Sequence, residues 1–267
     1  MSSLLRLLVL LCAVVGVVVA VPTVRLPVAH TIQGALDKFD KRAPKTVLIL
    51  GNSRIFVNDM PSMVRDMADS AHSPVLYSIT TRTWGGARFE DLWQDSGVQR
   101  LLHQRWDYVI LQSESGAQAD DGTNESFLTY GENLISTASA SGSPVAVIVN
   151  WAYDDSFYVG PYKANRPRHI ASIEASSRVL ARRTGASLID TGAVWEEVRA
   201  ADARLPLYWP DGNHPTINGS YLSALMVYGF ISRSSVSNVT FRPSGLDEEA
   251  AQTLKHLVAQ YYVYEPG

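Results

Sequence analysis

The chain has 267 residues, 46% of them hydrophobic and 18% charged, with a formal net charge of -3. That is enough chain for one sizeable core, and its scattered Lys and Arg residues offer none of the dense basic face that a nucleic-acid partner requires. The single cysteine, Cys12, lies in an N-terminal apolar run, which excludes disulfides, Cys-based zinc sites and a thiol nucleophile from the remainder of the sequence.

In chain order, the first feature is that apolar run. From Leu4 to Val21 the only charge is Arg6, and Leu7 to Val21 is apolar apart from Gly16. A short basic start, an apolar stretch and the small-residue ending Val18-Val19-Ala20 read as a secretory signal peptide over residues 1–21. Kept in place, the run approaches the ~17 residues that span a bilayer and would act as a signal anchor. Both alternatives put the folded part outside the cytoplasm, with a membrane as partner only if the segment is retained. Residues 22–44 read as a connecting segment and residues 45–267 as one domain.

Thr46 to Leu50 is a continuous apolar run ending at Gly51, as expected of a parallel strand buried on both faces. Met60 to Ser70 reads as a helix, Pro74 to Ile79 as a second strand and Phe89 to Trp106 as one long helix. Tyr108 to Leu111 is the third strand, Phe127 to Ser139 a helix and Val145 to Val149 the fourth strand. Ile170 to Thr184 is helical, Ala186 to Ile189 is the fifth strand, and Asn218 to Ser232 and Leu246 to Tyr262 are closing helices. Strands alternating with helices imply right-handed crossovers and a mostly parallel sheet between helical layers.

Ligands of such sheets bind beyond the carboxyl ends of the strands. That rule singles out Gly51-Asn52-Ser53, the Thr80 to Gly86 loop, Gln112 to Gly116, Asn150 to Asp155 and Asp190-Thr191. Ser53, leaving a buried strand and opening a helix, is either a helix cap or a nucleophile held where backbone N–H groups favour developing negative charge. A neutral hydroxyl needs a base, and the base needs an orienting carboxylate. Pro210-Asp211-Gly212-Asn213-His214-Pro215 offers both, an Asp three residues before a His on a tight turn; alternatively it is an ordinary surface turn.

Taken together, these segments resemble the SGNH/GDSL hydrolase (esterase) superfamily. Gly51-Asn52-Ser53 is similar to its first block, usually Gly-Asp-Ser. Gly86-Ala87-Arg88-Phe89-Glu90-Asp91-Leu92 is similar to the second, a Gly ahead of an Asp-Leu helix start. Asp211 to Pro215, followed by Asn218-Gly219, resembles the last block, Asp-x-x-His-Pro. The third block, Gly-x-Asn-Asp, is absent, and Leu111-Gln112-Ser113-Glu114-Ser115 occupies its place.

The resemblance implies an α/β, flavodoxin-like three-layer α/β/α sandwich with a five-stranded, mostly parallel sheet. It implies Ser53 as nucleophile, His214 as base and Asp211 as orienter. It further implies an oxyanion hole from the N–H groups of Ser53 and Gly86, with Gly85 as the neighbouring alternative, and the side-chain amide of Gln112, with Asn150 as a second candidate. No cofactor and no metal are called for. Trp84, Trp151 and Tyr153 follow strand ends and are either pocket walls for an acyl or sugar group or core fillers. Asp154-Asp155 reads as a loop cap before a carboxylate pair, and His30, His72, His103, His169 and His256 as surface or capping residues. The expected activity is hydrolysis of short acyl esters, O-acetyl above all, on a small molecule or a glycan. The alternatives are an extracytoplasmic O-acetyltransferase using the same triad and a catalytically silent glycan-binding domain.

Overall fold

A computed structural model describes residues 40–118, 125–157, 166–202 and 204–262. The signal peptide or anchor expected over residues 1–21 and most of the expected connecting segment, 22–44, lie outside the described residues. Strand β1 (Ala43–Gly51) leads into a single helical turn, α1 (Ser53–Phe56), and then helix α2 (Met60–Ser70). Strand β2 (Val75–Thr83) precedes two short helices, α3 (Phe89–Gln94) and α4 (Ser96–Leu102). Strand β3 (Tyr108–Leu111), helix α5 (Glu125–Ala140), strand β4 (Val145–Ile148) and helix α6 (Arg166–Thr184) follow. Strand β5 (Ser187–Ile189), α7 (Thr191–Ala201), α8 (Ile217–Ser232) and α9 (Glu248–Tyr261) close the chain.

The sheet is five-stranded and all-parallel, in the order β2-β1-β3-β4-β5. Its direction of travel reverses between β1 and β3, and the carboxyl ends of these two strands flank the crevice where such sheets take ligands. Ser53 follows one of them and Gln112 the other.

Because successive strand side chains point to opposite faces, each strand feeds two cores. Val47 and Ile49 join Ile110, Ala146, Ile148 and Ile189 on the face covered by α2, α7, α8 and α9. Leu48 and Leu50 join Val109, Leu111, Val145 and Val147 against α3, α4, α5 and α6. Helix α8 has almost no polar face; buried residues run from Asn218 to Gly229 without a break. A helix apolar on all sides is one enclosed by its neighbours, and here those are mainly α2 and α9.

Three local expectations change. The second strand runs on to Thr83, so its following loop is confined to Trp84–Arg88. The helix expected over Phe89 to Trp106 is two helices, because Asp95 ends the first and caps the second, its carboxylate accepting from the Val98 N–H at 2.8 Å. Helix α7 was not expected, although Val194, Trp195 and Val198 carry its apolar face at helical spacing. Among the described residues, no helix is long and apolar enough to cross a membrane.

Candidate active site

Ser53 opens α1 at the end of β1. Asn52 caps that turn, its side-chain oxygen accepting from the Arg54 N–H at 3.1 Å. The other end of the Asn52 amide donates to the Ala87 carbonyl at 3.1 Å, which ties the Ser53 turn to the Gly85-Gly86 loop. Aspartate, usual at this position in the resembled family, has no proton to donate to that carbonyl at neutral pH; here the amide makes both bonds.

The Asp211–His214 segment sits on a small hairpin. Thr216 N–H donates to the Leu207 carbonyl at 2.9 Å, Trp209 N–H to the His214 carbonyl at 2.8 Å, and Gly212 N–H to the Trp209 carbonyl at 2.9 Å. Gly212 turns the chain at φ +69, a conformation side chains disfavour. Pro215 and Thr216 then feed the chain into buried α8. Gly219, in its first turn, has no room for a Cβ, which would lie 2.5 Å from the Trp195 ring and 2.6 Å from the Leu207 carbonyl.

This hairpin lays His214 against Ser53, 161 positions away in sequence, with 2.8 Å between Nε2 and the serine Oγ. The other ring nitrogen, Nδ1, is 2.6 Å from Asp211 Oδ2. With Nδ1–H donating to the carboxylate, Nε2 is left as acceptor for the hydroxyl. Asp211 Oδ1 also accepts from the Asn213 and His214 N–H groups at 2.9 and 3.0 Å. Partial burial by itself pushes the Asp211 carboxyl up, but these three hydrogen bonds outweigh it and hold the group below the usual carboxylate range. The imidazole side chain is 31% exposed and the carboxylate 47%, so the group opens to solvent.

On the opposite side of Ser53 the expectations fare differently. The Ser53 and Gly86 N–H groups donate to nothing among the described residues, as free oxyanion donors would. Gln112 is different: it is 1% exposed, and both its amide hydrogens are spent, one on the Asn150 side-chain oxygen at 3.0 Å and one on the Ser113 carbonyl. Its oxygen accepts from the Asn52 N–H at 3.0 Å. So Gln112 braces the nucleophile turn from beneath and has no donor left for an oxyanion. The same holds for Asn150, whose amide donates to the Ser113 carbonyl at 2.7 Å and the Gln118 oxygen at 3.4 Å. Gln118 continues the ladder to Ser176 and Ser177 on α6 at 2.8 and 3.1 Å. Gly51 fits this packing because a Cβ there would stand 2.7 Å from Gln112 Oε1.

Trp151 is likewise corrected. It is 2% exposed and stacked on Trp195 at 4.1 Å, a core residue and not a pocket wall. Tyr153 is half-buried, stacked on Phe157 at 4.0 Å, with its hydroxyl donating to the Glu114 carboxylate. Burial, reinforced by that neighbouring carboxylate, pushes the phenol up to about 12. Trp84 is half-buried on the Gly85-Gly86 loop with the Arg82 guanidinium 5.9 Å from its ring. Asp154 and Asp155 do not pair; both face Arg199, at 2.8 and 3.6 Å. His169 is not at the surface but 1% exposed, its Nε2–H donating to the Ser115 carbonyl at 3.0 Å, and burial lowers its pKa. Among the described residues, no cluster of three or more His, Asp or Glu side chains is placed to hold a metal.

The sequence reading missed the exposed aromatics. Phe56, Phe157 and Trp209 are 45%, 39% and 51% exposed. Phe56 is on the Ser53 turn and Trp209 on the His214 hairpin, and Phe157 packs beside Gly212. The available signal was their nearness in sequence to the motif blocks. It missed Arg54 as well, which is 3% exposed directly after the candidate nucleophile.

No family model and no curated protein matches the sequence. Solved structures do. A protein from Slackia heliotrinireducens assigned to the SGNH hydrolases superposes with a TM-score of 0.58 at 25% identity, over 72% of this chain and 100% of its own. A DUF4886 family protein from Bacteroides uniformis gives 0.67 at 16% identity, over 81% and 94%. An acetylxylan esterase from Geobacillus stearothermophilus gives 0.56 at 15% identity, over 75% and 99%.

Proposed function

From its likeness to solved structures that include an SGNH hydrolase and acetylxylan esterases, we propose that the chain is a member of the SGNH/GDSL hydrolase superfamily, an exported serine esterase that removes short acyl groups, O-acetyl above all, from a carbohydrate. The observation that carries this is the unbroken line from Ser53 Oγ through both ring nitrogens of His214 to Asp211, with links of 2.8 and 2.6 Å.

His214 Nε2 takes the hydroxyl proton as Ser53 Oγ adds to the ester carbonyl. The tetrahedral oxyanion is received by the N–H groups of Ser53 and Gly86, each such donor contributing on the order of 2.7–4 kcal/mol. Asp211 holds the imidazole in the required tautomer and stabilises the imidazolium. His214 then passes its proton to the departing alkoxide, releasing the alcohol and leaving an acyl-Ser53. Water, deprotonated by the same Nε2, adds to the acyl carbonyl, and the proton returns to Ser53 as the carboxylic acid leaves. The carbohydrate assignment draws on the acetylxylan esterases among the structural relatives and on the exposed aromatics beside the triad, whose flat faces suit sugar rings. Export draws on the leader-like residues 1–21.

The test is turnover of nitrophenyl acetate and an acetylated oligosaccharide by the protein and by Ser53→Ala. Loss of both activities in the variant is expected; normal activity would sink the assignment. Supplying a sugar acceptor separates hydrolysis, which releases acetate, from transfer, which acetylates the acceptor. Failure of the folded protein to react with a fluorophosphonate would point to a silent binding domain.

A further inference from the structure

Ser53 and His214 are adjacent in sequence to two residues that are bonded to each other. Arg54 Nε and Nη2 both donate to the Asn213 side-chain oxygen, at 3.1 and 2.9 Å, and Arg54 Nη1 donates to the Trp151 carbonyl at 2.7 Å. The guanidinium carbon lies 4.6 Å from the centre of the Trp151 ring and 5.2 Å from that of Tyr153. Asn213 is held elsewhere too: its carbonyl accepts from Trp151 Nε1 at 3.2 Å, and its N–H donates to Asp211 Oδ1 at 2.9 Å. Trp151 in turn rests face to face on Trp195 of α7.

We propose that Arg54 is a positioning residue that clamps the turn carrying Ser53 to the hairpin carrying His214. The proposal rests on the serine-esterase reading above. Burying a guanidinium is costly unless hydrogen bonds and ring faces offset the lost hydration, so a side chain used only to fill space here would be apolar. The turn it belongs to needs an external tether. Helix α1 has four residues, far too few to hold its own shape. The hairpin needs one as well, since Asp211 and His214 stand partly in solvent. The planar fork meets both needs, because two of its N–H groups converge on one oxygen while a third reaches the Trp151 backbone. Asn213 presents that oxygen without adding a second carboxylate beside His214. The clamp touches no reacting atom and fixes the separation across which the serine proton moves.

The experiment is steady-state turnover of nitrophenyl acetate by wild type, Asn213→Ala, Arg54→Gln and the double variant, each checked as folded by circular dichroism. The expected result for Asn213→Ala and for Arg54→Gln is a fall in kcat of about 10- to 100-fold, the scale of a sub-ångström misplacement, with KM within about twofold. The double variant should be no slower than the slower single one, because the two substitutions break one interaction. Folded Asn213→Ala with kcat within about twofold of wild type, or losses that multiply in the double variant, overturns the clamp. If Arg54→Gln does not fold, Asn213→Ala alone decides, since it removes only the acceptor. A wild type that neither turns over ester nor reacts with a fluorophosphonate overturns the esterase reading and the clamp with it, a result distinct from an active wild type with unaffected variants.

Discussion

The two sides of Ser53 are built on different plans. Toward His214 the polar groups point at one another across the crevice and end in solvent, with Asp211 nearly half exposed. Toward β3 and β4 the polar groups are amides, buried to 1–3%, that satisfy each other: Asn52 N–H to Gln112, Gln112 to Asn150, Asn150 to Gln118. One side keeps its donors and acceptors available for a reacting group. The other spends its side-chain amide hydrogens on its own neighbours, so those amides supply rigidity under the nucleophile. An amide at a strand end is therefore not an oxyanion donor by virtue of its position; the count of its unspent hydrogens decides.

The sharpest way to break this contrast is on the solvent side. His214→Ala is expected to lower kcat by roughly 10⁴-fold or more with little change in thermal midpoint. A loss under tenfold in nitrophenyl ester turnover would show that the exposed line of groups does no chemistry.

On the amide side the balance should invert. Gln112→Leu strands the Asn52 N–H and the Asn150 side-chain oxygen, each buried orphan costing about 1–3 kcal/mol, while the Ser113 carbonyl keeps its bond from the Asn150 amide. Chemical denaturation should read a loss of about 2–5 kcal/mol, while kcat of the folded variant changes by less than about tenfold. A 10²- to 10³-fold fall in kcat without destabilisation, the signature of a deleted oxyanion donor, would restore Gln112 to the role its position suggested.

Asp211 gives a finer test through pH. Its carboxyl is held below the usual range in the folded protein, whereas an unfolded Asp titrates near pH 3.9. The unfolded chain therefore binds the proton first as pH falls. The stabilisation is present above about pH 4 and is lost as pH drops through the lower folded value. Asp211→Asn lacks this contribution, so its thermal midpoint should fall less steeply below about pH 4 than that of the wild type. Parallel slopes would mean that the three hydrogen bonds to Asp211 do not form in solution.

The smallest effect is expected from Trp209→Ala, on the rim of the hairpin. Turnover of an acetylated oligosaccharide should show KM raised by about threefold, the scale of one exposed stacking contact, with stability unchanged within about 0.5 kcal/mol. An unchanged KM would remove the aromatics from substrate recognition.

The alternation of strands and helices, the apolar runs at Val47–Leu50 and Val145–Ile148 and the polar punctuation after each strand made the layered fold legible before any coordinates. Helix α7 escaped because three apolar positions make a weak periodic signal. The break at Asp95 escaped because a residue that ends one helix and starts the next looks like a helix interior in a linear string.

Residue identity by itself determined which chemistries were open: with Cys12 confined to the N-terminal apolar run, the candidates reduced to a hydroxyl, an imidazole and a carboxylate in recognisable blocks. Tertiary structure alone decided which polar atoms remained free. Gln112, Asn150, Trp151 and Arg54 were all visible as residue types near strand ends, yet their roles depend on partners 30 to 160 positions away. The physical reason is that a hydrogen-bond donor can be used only once, and a sequence lists the donors without saying where each has been spent.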